Sequence, residues 1–425
     1  MRSDKIEIAN TRRRKIAILL PNGWRGGMLR NAFALARLLT GHEWRGIGKI
    51  DVVIGLRRDG AYDWEKIDRD LVNTQRAITV RKTEWKNWPT ESLQLWFRSP
   101  APVPDAVKQV LVPYDRAHNF LDCEAWIIFG GYMLGYLAAP RPCAVYCPDL
   151  IQRYVPAIFD SLDGKEQVWL WNTQTITLLA WRNSRCVFAT TPQTLRDAVE
   201  YAGIPSHKAI LVPTLVDALG EEQTSSAPPA ALQSIIWVTN PTVHKNHSMA
   251  VAAMQIYYED LGGKLPLVAV GPNTDAFDPQ LGIDCAASRA FKRTPSVLRR
   301  TRFAGEVSDA EYLKLIGGAG IVWHNVIMDN GSFVAIDAAR AGRHFVSSDY
   351  PQIRYLCERY GVATTWHPPC DPMAAAQALL HAERELAAGK RPSHHLRDDG
   401  EHERVAGYEM LLRKLFEAEN GFSAS

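Results

Sequence analysis

The 425-residue chain predicts an α/β protein made of two Rossmann-like, doubly wound domains facing a central cleft. Three observations predict it. Apolar runs of strand length alternate with segments of helical periodicity along most of the sequence. The alternation stops once, at the Ser/Pro/Ala/Glu-rich stretch 217–233 (DALGEEQTSSAPPAALQ), and restarts after it. The length also exceeds what one hydrophobic core supports, so two domains are expected.

In the first half, residues 15–20 (KIAILL) form a compact strand and 21–27 (PNGWRGG) a glycine-bearing loop. Residues 28–39 follow as a helix, with Leu29, Phe33, Ala36 and Leu39 on one face. Further strands are expected at 50–54, 77–80, 110–112, 126–129, 144–146, 186–189 and 209–212, with helices at 165–181 and 192–201. Their continuous apolar character fits parallel strands covered on both faces. After the linker the pattern resumes with strands at 234–239, 265–270, 301–304, 321–323 and 345–346, and helices at 247–261 and 309–316. Residues 401–420 read as one amphipathic helix. The expected organisation is an N-terminal Rossmann-like domain over 1–216, a linker over 217–233, a C-terminal Rossmann-like domain over 234–400, and a C-terminal helix over 401–425 that can pack back on the first domain.

Composition narrows the function classes. A net charge of +3, from 49 basic and 46 acidic residues, provides no field for nucleic acid, which is not expected as a partner. The seven cysteines are scattered without zinc-site spacing and read as buried thiols in a reducing cytoplasm. The N-terminal MRSDKIEIANTRRRK lacks the apolar core of a secretory signal, and the apolar stretch 126–140 is too short to span a bilayer. A cytoplasmic location is therefore expected. Trp85, Trp88 and Trp96, with the basic run Arg12 to Lys15, also suit peripheral contact with the inner face of a membrane. A half-buried aromatic cluster is the plainer reading of the same tryptophans.

The chemistry concentrates in 321–356 (IVWHNVIMDNGSFVAIDAARAGRHFVSSDYPQIRYL). Asp329 and Asp337 flank the turn Asn330-Gly331-Ser332, one at the end of a strand and the other two turns into an Ala-rich helix. In open α/β sheets ligands bind at the carboxyl ends of strands, where free N–H groups at a helix start face them. Bare donors beside two carboxylates suit a polyhydroxylated ligand carrying phosphate, that is, a nucleotide sugar. Capping, worth about 1 kcal/mol, is the plain alternative for Asp329. Asp337 sits within an apolar helix, where a carboxylate needs a partner. Earlier, 238–247 (VTNPTVHKNH) places Lys245 at a helix start, an unfavourable position unless an anion offsets its charge. His244 and His247 lack a third ligand, so no metal is expected. Gly26 and Gly27 expose N–H groups at the first helix start, suited to an anion.

This ordered set of a Gly-Gly loop, His-Lys-Asn after the linker and acid-x7-acid late in the chain resembles the family-4-type retaining glycosyltransferases of GT-B fold, the group 1 glycosyltransferases. Supporting segments keep the same order: Pro148-Asp149-Leu150-Ile151, Thr190 to Leu195, Val212 to Asp217, Phe303 to Asp309, and Gly342 to Asp349. The resemblance implies a hexosyltransferase in which Asp329 contacts donor-sugar hydroxyls and the amides of Asn330, Gly331 and Ser332 hold the sugar or diphosphate. Asp337 would bind the ribose, Lys245 and His244 would face the diphosphate, and Gly26 and Gly27 would approach it. Asp149 would orient the acceptor or stabilise developing positive charge. The implied substrate is a nucleotide-diphosphate sugar, with no cofactor and no metal. The implied acceptor is a glycan or glycolipid, and the implied setting bacterial surface polysaccharide biosynthesis, with a lean towards mannose or rhamnose. The chain departs from the family pattern in three places. Both acids are aspartate rather than glutamate, Asn240 and His244 stand where an arginine is usual, and Pro148 replaces a histidine. The departures motivate a second reading, a non-catalytic glycosyltransferase-like protein that binds a glycan or a partner.

Overall fold

The computed structural model describes residues 13–23, 26–72, 76–92, 103–105, 107–130, 135–156, 164–216, 234–330, 333–397 and 400–417. The predicted linker 217–233 lies outside them. Contacts divide the chain into two units, residues 1–150, 163–217 and 400–425 in one, and 151–162 and 218–399 in the other.

Among the described residues the first unit holds ten strands: β1 (Arg13–Leu19), β2 (Glu43–Trp44), β3 (Gly48–Arg57), β4 (Ile78–Pro89), β5 (Gln109–Tyr114), β6 (Ala125–Phe129), β7 (Tyr136–Leu137), β8 (Cys143–Tyr146), β9 (Cys186–Ala189) and β10 (Ala209–Leu211). Their order is β10-β9-β8-β6-β1-β3-β4-β5-β7, with β2 paired to β3. Alternation along β1 sends Ile16 and Ile18 to one face and Ala17 and Leu19 to the other, and each face builds its own core. The first core is closed by the helix Gly27–Gly41 and by the C-terminal helix Gly400–Phe416, through Tyr408, Leu411, Leu412 and Leu415. The chain reverses its direction of travel across the sheet between β1 and β6, which are direct neighbours.

β4 corrects the sequence expectation of a short strand at 77–80. It continues to Pro89, pairing in parallel with β3 through Thr83 and then antiparallel with β5 from Glu84 onward. The second half, EWKNWP, alternates aromatic and polar residues, so it reads as surface until β5 is there to pair with it. Trp85 and Trp88 pack half-buried against the second core, the plainer of the two readings of this cluster. Trp96 lies outside the described residues.

The second unit adds β11 (Ile235–Val238), β12 (Leu267–Val270), β13 (Thr301–Phe303), β14 (Ile321–His324), β15 (His344–Ser348) and β16 (Thr364–His367). All pairings are parallel and the order is β13-β12-β11-β14-β15-β16. In sequence order this is 3-2-1-4-5-6, the dinucleotide-fold arrangement, with its switch point between β11 and β14. Trp237 and Trp323, one from each of those strands, are fully buried with ring centroids 5.8 Å apart. Gly271 follows β12 at φ 138°, and a Cβ there would lie 2.0 Å from the Thr239 carbonyl oxygen. Only glycine lets the two strand ends come together at that point.

Candidate functional site

At the switch point the chain leaves β11 and β14 in opposite directions, which opens a crevice between the loops that follow them. After β11 comes a 3-10 turn, Val243–Lys245, then Asn246 in the left-handed conformation (φ 52°), then the helix His247–Glu259. Asparagine tolerates that conformation better than most residues. The sequence places Lys245 in the start of the helix; the left-handed Asn246 instead leaves it ahead of the helix, on the loop. After β14, residues 325–330 lead to the helix Phe333–Arg340. Gly331 and Ser332 lie outside the described residues.

Backbone and amide hydrogen bonds join the two loops. The Ile327 N–H donates to the His244 carbonyl at 2.8 Å, and Asn325 Nδ2 donates to the Asn246 carbonyl at 3.2 Å. The Val326 N–H donates to Ser348 Oγ of β15 at 3.0 Å. This register brings Lys245 Nζ to 2.5 Å from Asp329 Oδ2, a charge-assisted hydrogen bond. Lys245 is only 9% exposed and Asp329 half-buried. The other Asp329 oxygen accepts the Asn330 N–H at 2.8 Å. Burial opposes the Asp329 charge, but the adjoining ammonium outweighs it and holds the carboxyl below the usual carboxylate range.

Three histidines stand behind this pair. Burial, reinforced by the Lys245 charge, pushes His244 and His247 down to about 4 and His324 down to about 3, so all three are neutral at pH 7. His247 Nε2 lies 2.7 Å from the Asn240 carbonyl, which can only accept, so this nitrogen carries the proton. His324 Nε2 lies 2.8 Å from the Tyr350 hydroxyl. Among the described residues no group of three His, Cys, Asp or Glu side chains could hold a metal ion.

Asp337 is buried, 4% exposed, and its Oδ2 accepts the Tyr312 hydroxyl at 3.1 Å. It is the fifth residue of its helix, a little over one turn in rather than the two turns expected. Tyr312 belongs to the helix Asp309–Gly318, whose start is fixed by the Ser308–Glu311 capping box. That capping box is legible in the sequence; the tyrosine's role is not, because its partner lies 25 residues away.

The remaining predicted residues belong to the first unit. Gly26 ends the loop after β1 at φ 60°, ψ −132°, a region open to glycine almost alone, and Gly27 begins the helix. Both are exposed. Asp149 is half-buried in the stretch after β8, where its carbonyl lies 3.8 Å from Cys147 Sγ. The structure therefore brings Lys245, Asp329, Asn330 and His244 together around one crevice and sets Asp337 on the helix that follows it. Gly26, Gly27 and Asp149 sit in the other unit. Tyr312, His324, Asn325 and Tyr350 are residues of the crevice and its support that the sequence does not single out.

No family model matches the chain and no curated protein does. Solved structures match along nearly all of it. Sucrose-phosphate synthase from Thermosynechococcus elongatus is 14% identical, with 94% of each chain covered and a TM-score of 0.55. HepE from Anabaena, solved with UDP-glucose, is 12% identical, with 95% of each chain covered and a TM-score of 0.56. WaaG, a glycosyltransferase involved in lipopolysaccharide biosynthesis, is 12% identical, with 94% of this chain and 95% of that one covered and a TM-score of 0.54. The fold is GT-B. In this GT-B chain the β11/β14 crevice occupies the switch point of the second Rossmann-like sheet. No helix among the described residues is long and apolar enough to cross a membrane.

Proposed function

We propose that the chain is a glycosyltransferase that moves a hexose or deoxyhexose from a nucleotide-diphosphate sugar to a glycan or lipid-linked acceptor. One observation carries the reading: the Lys245–Asp329 pair at the switch point, with Asp337 one helix turn beyond it. Lys245 supplies the positive charge for the diphosphate, aided by the Asn330, Gly331 and Ser332 amides and by His244. Asp337 takes the ribose hydroxyls, and Asp329 the hydroxyls of the transferred sugar. Gly26 and Gly27 expose amides for the diphosphate, and Asp149 orients the acceptor. Anomeric retention, independence from metal, and a lean to mannose or rhamnose in bacterial surface polysaccharide assembly rest on the family resemblance.

The pairing adds a step to this account. Without donor, Asp329 is neutralised by Lys245. An arriving diphosphate competes for the ammonium, and the released carboxylate turns to the sugar hydroxyls, so donor binding itself readies the site. That HepE was solved with UDP-glucose supports a nucleotide-sugar donor. The test is a thermal-shift panel of nucleoside diphosphates followed by assay of diphosphate release from the matching sugar nucleotide. A ligand at ~100 times its Kd stabilises by about 2.7 kcal/mol. No shift with any nucleotide sinks the donor site. Nucleotide binding without slow donor hydrolysis favours the second reading, a non-catalytic binder, which the missing arginine at Asn240 and histidine at Pro148 motivate.

A further inference from the structure

At the amino-terminal edge of the first unit, opposite the strand ends that carry Gly26 and Gly27, lies an open cleft of about 550 Å³. It is lined by Arg14 at the start of β1, by Arg45, Gly46 and Ile47 at the β2–β3 turn, and by Arg413, Phe416 and Glu417 at the end of the C-terminal helix. Three arginines and one acidic residue therefore line it. That carboxylate, Glu417, is taken up by Lys414 at 2.8 Å. Arg413 pairs with Glu409 along its own helix, and Arg14 Nη1 reaches Glu124 at 3.3 Å. The Arg14 plane lies 4.4 Å from the Phe416 ring centroid, and its Nε is buried with no acceptor. Arg45 is exposed and has no carboxylate partner among the described residues.

The forked donors of arginine match phosphate, and with only Arg45 lacking a carboxylate the cleft keeps one uncompensated guanidinium beside two paired ones. The wall of Ile47 and Phe416 gives the cleft an apolar side as well. We propose that this cleft is a second anion site, taking a phosphate monoester or diphosphate group, separate from the candidate donor site. The shared chemistry could reach it as a free phosphorylated molecule or as an anionic lipid headgroup.

The experiment uses the full chain carrying Lys245→Ala, so that the candidate donor site contributes little, and compares it with the same chain also carrying Arg45→Ala and Arg413→Ala. Both arginines are exposed, so folding is not at risk. Inorganic pyrophosphate is titrated calorimetrically at low salt, and sedimentation is measured with phosphatidylglycerol and phosphatidylcholine vesicles. Saturable pyrophosphate binding that weakens at least ~10-fold in the arginine variant supports the site with a soluble ligand. Loss of sedimentation with the anionic vesicles in that variant supports the site with a headgroup. Equal binding of both probes by both proteins, or binding of neither probe, overturns the proposal. Nucleotide thermal shifts of the wild-type chain and of Arg45→Ala are run alongside; these report on the donor reading and are unaffected by failure of the second site.

Discussion

The two units solve the same topological problem with their charged networks placed differently. Both sheets have a switch point, between β1 and β6 in the first and between β11 and β14 in the second. In the second, charged and polar side chains crowd the carboxyl ends, where Lys245 meets Asp329. In the first, the network spans the strands instead: Lys15, near the start of β1, meets Asp122 at 3.1 Å, and Arg81, level with Gly55 near the end of β3, reaches Asp122 at 2.7 Å and Asp115 at 3.0 Å. Asp115 also accepts the N–H groups of Ala117, His118 and Asn119 at 2.8 to 2.9 Å. Those contacts hold a turn in which Arg116, Asn119 and Phe120 are all left-handed, a conformation that costs roughly 1–2 kcal/mol for most residues. Every group in that network has a partner within the fold, so it shapes a loop. The lesson is that an ion pair is read by what its groups join: the Lys245–Asp329 pair links the two loops that leave a switch point, whereas the Asp115–Asp122 network pins a turn within the fold.

The sharpest way to break this comparison is to remove the lysine of each network. Lys245→Ala should lower donor turnover more than ~100-fold, and stranding the half-buried Asp329 should cost about 1–3 kcal/mol of stability. Lys15→Ala, at a half-buried pair whose Asp122 keeps its bond to Arg81, should cost less than about 1 kcal/mol and leave turnover alone. Parallel melting curves and nucleoside-diphosphate release measure both; equal losses would erase the distinction. Next in size, Asp337→Ala should weaken nucleotide binding ~10-fold, while Asp329→Ala lowers turnover with nucleotide affinity nearly kept. Calorimetry with the identified nucleoside diphosphate separates them, and matching mild effects would leave both residues with a purely structural role.

A pH series sharpens the contrast further. In the unfolded chain His244, His247 and His324 take up protons near pH 6.5, but in the fold only near 4, 4 and 3. Between those values the unfolded state binds more protons, so stability present at neutral pH is lost as pH falls from about 6.5 towards 4. Asp329, held low by Lys245, adds a loss of the same sign at still lower pH. Urea denaturation at pH 7 and pH 4.5 should show the drop, and His247→Gln with His324→Gln should flatten it. An unchanged slope in that double variant would remove these imidazoles from the account. With no effect expected on the titrating groups, Gly26→Ala should cost about 1–3 kcal/mol through its backbone angles alone, since no atom lies within 4 Å of the added Cβ. A Tm equal to wild type would mean the loop has other conformations open to it.

Much of the second unit was legible in the sequence because its strands are short apolar runs, IIWV, LVAV and IVWH, which bury both faces and leave little choice of structure. The acid-x7-acid spacing and the lysine also stood out, since a charge beside an apolar helix calls for a partner. The second half of β4 was hidden, because WKNW becomes a strand only when β5 lies beside it. Tyr312 was hidden for a similar reason: its hydroxyl matters only because the fold sets it against Asp337.

Residue pattern alone thus determined the α/β class and the segments that carry charge at strand ends, since periodicity and burial are local properties of the chain. That Lys245 answers Asp329 across 84 residues was decided only in three dimensions. It depends on β11 and β14 being neighbours, on the left-handed Asn246, and on the amide bonds that tie their loops together. A partner for a buried charge is demanded by local chemistry, but which residue meets that demand is set by the order of strands in the sheet.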